Sequence, residues 1–346
     1  MPQGSHAAGL STTAAMARRI APSYRGHMKD DISAQIAPTA RPDRTVALIG
    51  ILSGAGAALF WAAGLAGAKH GIAAGLSPAD LTLHRYAWLG PFFAWFVFRD
   101  GFARPGGISW GRGIGITLFA GPSIAMFSYY GFLTVPLSHG AVIQPSSAAL
   151  GGLLLTALFL GERLSLTRII GALAIVSGLV IYAGESVTSI GSGAILGDLS
   201  FMAAGWCWAF FGLLLALWRI DPLRAAMVVT VFSFVYVPVH AVLFGYERMI
   251  AVGLTENVMQ AVLQGVLAGA AGIYLFTRAV ELLGPGRAAV FPALVPGFAM
   301  LIGFSFLGEI PTAVQLAGFA VVAVGFALVQ AAVNKPLIPA QAGIQK

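Results

Sequence analysis

From Val46 to Gln330 the chain runs as apolar blocks of about twenty residues, each separated from the next by a short polar stretch. A helix crosses the hydrocarbon core of a bilayer with roughly 20 mostly apolar residues. Ten windows have that character: 46–68, 113–133, 138–160, 164–184, 199–218, 225–244, 258–277, 288–307 and 312–334, with 79–98 a weaker, charged member. The pattern predicts an all-α integral membrane protein of ten transmembrane helices. Its loops are too short to hold a large extramembrane domain.

The blocks repeat. FLGER at 159–163 returns as FLGEI at 306–310, an interval of 147 residues. The same shift lays GAVIQP (140–145) over RAAVFP (287–292), Gly171 over Gly318 and Gly178 over Gly325. With some slippage, Ser77-Pro78 ahead of the second window corresponds to Asp221-Pro222 ahead of the seventh. Two halves of five windows, 46–184 and 194–331, follow from these matches. Five is odd, so the second half is threaded upside down and the fold is predicted as two inverted five-helix repeats.

Charge gives an independent test, because short cytoplasmic loops are enriched in Lys and Arg. With the N-terminus inside, the cytoplasmic loops hold nine cations: Arg99, Arg104, Arg112, Arg163, Arg168, Arg219, Arg224, Arg278 and Arg287. The external loops hold two, Lys69 and Arg248. The fifth residue of the repeat differs for this reason: Arg163 faces the cytoplasm, whereas Ile310 faces the opposite surface.

Composition agrees, with 58% hydrophobic residues, 10% charged and 44 glycines in 346 residues, outside the usual range of soluble domains. The net charge of +7 is no nucleic-acid footprint, since such a footprint gathers cations on one face or arm. Cys207, the only cysteine, excludes an internal disulfide and a cysteine-based metal cluster. Residues 1–45 form a basic arm without a signal-peptide core, expected to stay in the cytoplasm, with Met28 an internal candidate start. Residues 332–346, with two prolines, form a cytoplasmic tail.

A proline in the fourth helix of each half (Pro145, Pro292) is followed by L-G-E (Gly161 and Glu162; Gly308 and Glu309) and a short fifth helix with glycines seven apart. These features, on two inverted five-helix halves, resemble the EamA-type permeases of the drug/metabolite transporter superfamily over residues 46–331. The resemblance implies a multi-pass carrier of the bacterial inner membrane. It further implies a substrate such as an amino acid or a related amphiphile, outward export, and alternating access to a central cavity between the halves. Exchange of conformation between inverted repeats gives alternating access a physical basis. No cofactor, metal or nucleic acid is expected; the partners are a small-molecule substrate and the lipid bilayer, and the chain is either a monomer or a homodimer.

Candidate pathway residues follow. Arg85, in TLHRYAW (82–88), lies inside an apolar window and is the only such cation not counted with a loop. The resemblance implies that an arginine here is common in the family. Flanked by His84 and Tyr86, it could attract a carboxylate or phosphate; snorkelling to the interface or pairing with Asp80 are the structural alternatives. Trp61 and Trp208 hold roughly corresponding places in the first and sixth windows, and Tyr129, Tyr130 and Tyr274 suit either an amphiphile cavity or an interfacial belt. Gln144 is a neutral hydrogen-bonding candidate. Glu162 and Glu309 are expected to cap the short helix that follows each or to meet a cation. The paired glycines are expected to allow close helix packing, and His240 is expected at the interface.

Asp80, Asp198, Glu162, Glu256, Glu281 and Glu309 all stand toward window ends. Proton relays commonly use buried intramembrane carboxylates, so a carboxylate-based antiporter is disfavoured, while histidine leaves coupling open. No HExxH, P-loop or strand-following GxGxxG points to an enzyme. A flippase for a lipid-linked sugar or other amphiphile is the alternative transport function. A non-transporting scaffold or sensor is the alternative outside transport, and the short loops argue against it.

Overall fold

The computed structural model describes residues 44–99, 101–161, 164–188, 193–283, 288 and 291–333. Glu162, Arg163, Arg287 and Met28, with most of both tails, lie outside the described residues. The chain divides into two units, 1–47 and 48–346; of the first, only 44–47 are described, the opening turn of helix α1 (Arg44–Ala74).

A helix or a run of helical pieces stands at each apolar window, and no strand occurs among the described residues. The second window is α2 (Pro78–Tyr86) and α3 (Gly90–Phe98), parted ahead of Pro91. The third is α4 (Trp110–Ala120) and α5 (Pro122–Gly131). Gly121 is non-helical between them, and Pro122 brings no N–H to continue the ladder. Then come α6 (Leu137–Phe159), with Pro145 inside it, and α7 (Leu166–Thr188). The second half opens with α8 (Ala194–Trp218), α9 (Pro222–Ser233) and α10 (Tyr236–Leu243). The eighth window joins α11 (Glu247–Gln260) through π-helical turns (Ala261–Ala271) to α12 (Gly272–Leu283). A 3-10 turn with Pro292 (Phe291–Leu294), α13 (Val295–Ile302) and further π-helical turns (Gly303–Leu307) make the ninth, and α14 (Ala313–Val333) the last.

Five helical stretches are long and apolar enough to cross a membrane: Arg44–Ala74, Leu137–Phe159, Ala194–Trp218, Pro222–Leu243 and Glu247–Leu283. Leu166–Tyr182, Phe291–Leu307 and Ala313–Val329 are shorter apolar helices. The second and third windows are each broken at a proline, and the second also carries Asp80, His84 and Arg85. Large apolar side chains such as Phe92, Trp95, Leu158, Val242 and Phe306 stand exposed on the outside, an arrangement that suits lipid rather than water.

Local chemistry explains the element ends. Ser77 caps α2 by accepting the Asp80 N–H, while Asp80 returns the bond to the Ser77 N–H, with Pro78 in the first turn. Asp221 likewise accepts the Arg224 N–H at 2.9 Å ahead of α9, with Pro222 in the first turn. The two corresponding dipeptides therefore start helices in the same way. Gly161 (φ 66°) and Gly308 (φ 68°) both take the left-handed conformation after a helix end, which glycine adopts without a Cβ penalty. The glycine of each L-G-E is thus a helix stop.

Glu309 departs from expectation. It caps α6, not the following helix: the Leu137 N–H reaches its two carboxylate oxygens at 2.9 and 3.0 Å. The helix that follows, α14, is capped by Thr312 and Gln315, each backbone N–H donating to the other's side chain.

The paired glycines meet directly. Gly171 lies against Gly325 and Gly178 against Gly318, so α7 and α14 cross antiparallel with their backbones touching. Gly64 and Gly67 bring α1 onto Ala268 and Leu263 of the π-helical turns. Gly131 and Gly140 receive Phe201 of α8. Small residues allow this close approach where lipid supplies no hydrophobic drive between helices.

Candidate functional site

Arg85 sits deep in the bundle yet keeps part of its surface accessible. The hydroxyls of Tyr86 and Tyr129 lie within electrostatic reach of its guanidinium. Among the described residues no carboxylate pairs with it. The Asp80-pairing alternative is therefore not what the fold adopts, since Asp80 meets His240 instead. Tyr86 donates in turn to the carbonyls of Ala120 and Gly121, at 3.0 and 2.8 Å, where the break before Pro122 leaves acceptors free. The interrupted third window thus supplies part of Arg85's support.

Tyr129 donates to Gln264 Oε1 at 2.8 Å, the first step of a ladder along the eighth window. Gln264 Nε2 donates to the Gly64 carbonyl at 2.7 Å and faces Gln260 Oε1 at 3.2 Å. Gln260 Nε2 donates to the Gly67 carbonyl at 2.7 Å and to Glu256 Oε1 at 2.9 Å. Glu256 ends the ladder against the half-exposed His70 at 3.3 Å. Along the ladder each donor points the same way, from Tyr129 toward the carboxylate at Glu256. Residues 256, 260 and 264 share one helical face by their i,i+4 spacing; amides at that spacing inside an apolar window were the available signal for a buried polar face.

His84 is buried beside Arg85 but serves other partners. Asn257 commits its Nδ2 to the carbonyls of Met249 and Gly253, at 2.6 and 2.7 Å, where left-handed Gly253 interrupts α11. Its Oδ1 is left to face His84 Nε2 at 3.1 Å. Trp88 Nε1–H approaches His84 Nδ1 at 3.3 Å. An acceptor at Nε2 and a donor at Nδ1 together define the neutral, Nε2-protonated tautomer.

Two carboxylate–imidazole pairs lie elsewhere in the bundle. Asp80 Oδ1 meets His240 Nε2 at 2.9 Å, and His240 is fully buried rather than interfacial. Asp198 Oδ1 meets His139 Nδ1 at 2.8 Å, while Gln315 approaches the far ring nitrogen at 3.4 Å. Both pairs join residues far apart in sequence, so nothing local announces them. Lys69 Nζ donates to the carbonyls of Phe132 and Val135 at 3.0 and 2.9 Å, tying α1 to the turn before α6.

A family model, the EamA-like transporter family, matches this chain twice, over residues 48–184 and 195–330. The chain belongs to the EamA-like transporter family. A solved crystal structure, 19% identical with a TM-score of 0.54, spans 84% of this chain and 99% of its own and shares the fold. No curated protein matches. Membership, with the apolar helices, makes this a multi-pass membrane protein of a transporter family.

Of the residues singled out from the sequence of this EamA-like chain, Arg85 and Tyr129 are brought into contact, and Trp61 packs on the same buried cluster as Tyr86 and Tyr129. Trp61 also stacks obliquely on Phe276 of α12, ring centroids 5.4 Å apart. Gln144 Oε1 accepts from the Ser128 hydroxyl at 2.9 Å. Tyr130, Trp208 and Tyr274 are not gathered there; they are 47%, 52% and 65% exposed. Among the described residues no group of three His, Cys, Asp or Glu side chains is placed to hold a metal.

Proposed function

We propose that this EamA-like protein is a secondary transporter of ten membrane-spanning helices. Two inverted halves, 46–184 and 194–331, move small amphiphilic metabolites such as amino acids outward across the bacterial inner membrane by alternating access. The arm 1–45 and the tail 332–346 lie in the cytoplasm. The contacts between halves support the inversion, because they survive exchange of one half for the other. The first helix of each half touches the third of the other, as does the second; the fourth helices meet, and so do the fifth.

One observation carries the pathway: Arg85 is a deep, partly accessible guanidinium within electrostatic reach of two tyrosine hydroxyls and with no carboxylate partner among the described residues. A buried charge without a counter-ion is costly, and an anionic group on the substrate is the natural complement to its planar fork. His84, Trp61, Tyr129 and Gln144 belong to this pathway. Tyr130, Trp208 and Tyr274 enter it only in another conformation of the halves.

The test compares metabolites in cells and medium between deletion and overexpression strains. A compound bearing a carboxylate or phosphate, retained inside by deletion and released by overexpression, is the expected outcome. Unchanged soluble metabolites with altered envelope lipids would replace export with flipping.

A further inference from the structure

Helix α2 carries both an acid and the pathway cation within nine residues. Asp80, 2% exposed, spends Oδ2 on the Ser77 N–H and hydroxyl at 2.8 and 2.7 Å, and Oδ1 on His240 at 2.9 Å. Those bonds leave His240 donating from Nε2. Its other ring nitrogen, Nδ1, is buried with no hydrogen-bond partner. Around the ring stand Tyr236 and Phe244 from the α10 segment and Tyr246 from the start of α11, with centroids 5.4 to 6.0 Å away. The other titratable groups facing the pair are His84 on α2, within electrostatic reach of both members, and Tyr236, within reach of Asp80. Glu256 on α11 acts on His84. No Lys or Arg among the described residues pairs with Asp80.

Capping alone does not require this chemistry. An asparagine would cap as well, and a buried acid–base pair is a poor source of stability compared with neutral packing. What the pair has that neutral residues lack is one vacant, buried lone pair on a group whose ordinary titration falls between about pH 5 and 8. A proton added at Nδ1 gives an imidazolium that keeps its Nε2–H on Asp80, and the two groups exchange that proton as one unit.

We propose that Asp80 and His240 form a proton-binding site that couples proton entry to export of the substrate. This inference rests on the transport reading above. One proton binds at His240 Nδ1 when the site opens outward and leaves from the same atom when it opens inward, so each cycle carries one proton inward, and one net charge when the exported compound is zwitterionic. The pair joins the second helix of one half to the second helix of the other. Asp80 and Arg85 ride on one short helix, bounded by the Ser77 cap and the interruption at 87–89. Movement of α2 on protonation therefore displaces the substrate's cation too.

The experiment uses cells that overexpress the full chain and are fed uniformly ¹³C-labelled glucose. Labelled compounds are measured inside and outside, with and without a protonophore, at matched membrane abundance. The native chain should raise the outside-to-inside ratio of at least one compound, and the protonophore should lower it; about 100 mV acting on one charge sustains a ratio of roughly fifty. Asp80→Asn and His240→Gln should give a low ratio unaffected by the protonophore, and Asp80→Glu should restore part of the response. A merely structural pair would lower abundance in the variants and leave the protonophore response of the remaining protein intact, which would overturn the proposal. A native ratio indifferent to the protonophore would also overturn it while leaving transport standing. No overexpression-dependent release of any compound would remove the transport reading and this inference together.

Discussion

A Cβ built on Gly178 would stand 2.8 Å from the carbonyl oxygen of Gly318, and one built on Gly318 would stand 2.9 Å from that of Gly178. Gly171 and Gly325 repeat the relation at 2.8 and 2.7 Å. Because 171 corresponds to 318 and 178 to 325 in the repeat, the two contacts are one contact seen from either half, the self-complementary form a two-fold relation imposes. The obstructing atoms are backbone and cannot swing aside. Gly178→Ala is expected to lower stability by about 1–3 kcal/mol through overpacking. Gly152→Ala, with nothing within 4 Å of its Cβ, should leave the melting temperature in detergent nearly unchanged. Equal melting of the two variants would mean that α7 and α14 do not approach this closely.

Much of this arrangement was legible beforehand, and the reason is local. Apolar window lengths, glycines seven apart and a helix stop at Gly161 and Gly308 are statements about consecutive residues. So is the isolation of Arg85 among apolar neighbours. What escaped are contacts across long intervals. Asp80 stands near a window end, which argued against a buried carboxylate relay, yet His240 lies 160 residues on and closes over it. Glu309 was expected to serve the next helix but reaches 172 residues back to Leu137, while Thr312-x-x-Gln315 caps α14 in its place. Tyr130, Trp208 and Tyr274 were chosen by residue type alone, and type does not say which side of a helix faces inward.

Glu309 gives a second measurable consequence. Its carboxylate meets the first N–H of α6, where the helix dipole favours a negative group, and Lys69 lies within its electrostatic reach. Glu309→Ala is expected to lower stability by about 1–2 kcal/mol, and Glu309→Gln, which keeps one acceptor without the charge, by less. Thermal unfolding of the two variants in detergent checks the order. Equal losses would assign the effect to packing rather than to the cap.

Membrane orientation can be read with single cysteines in a Cys207→Ser background. Thr255 is a better outer position than the neighbouring Gly253, whose φ of 84° a cysteine would strain. Arg104 reports the opposite side. An impermeant thiol reagent applied to intact cells should label a cysteine at 255 and spare one at 104, as the nine-to-two cation asymmetry requires. The reverse pattern would place both termini outside and turn the proposed export path around.

Arg85 decides whether the polar chain running to Glu256 belongs to the substrate or only to the fold. Removing its charge leaves Tyr129 able to keep its bond to Gln264, and Tyr86 its bonds to the Ala120 and Gly121 carbonyls, so the surrounding helices retain their supports. Arg85→Gln is therefore expected to abolish release of the exported compound while membrane abundance and melting temperature stay near those of the native chain. Arg85→Lys should recover only a fraction of the release, since a single ammonium cannot span two tyrosine hydroxyls and a carboxylate as a planar fork does. Tyr129→Phe strips Gln264 Oε1 of its buried donor, which costs about 1–3 kcal/mol, and should depress stability and release together. Full release by Arg85→Gln at equal abundance would reduce the arginine to a structural cation and move the search for the substrate's contact to another part of the bundle.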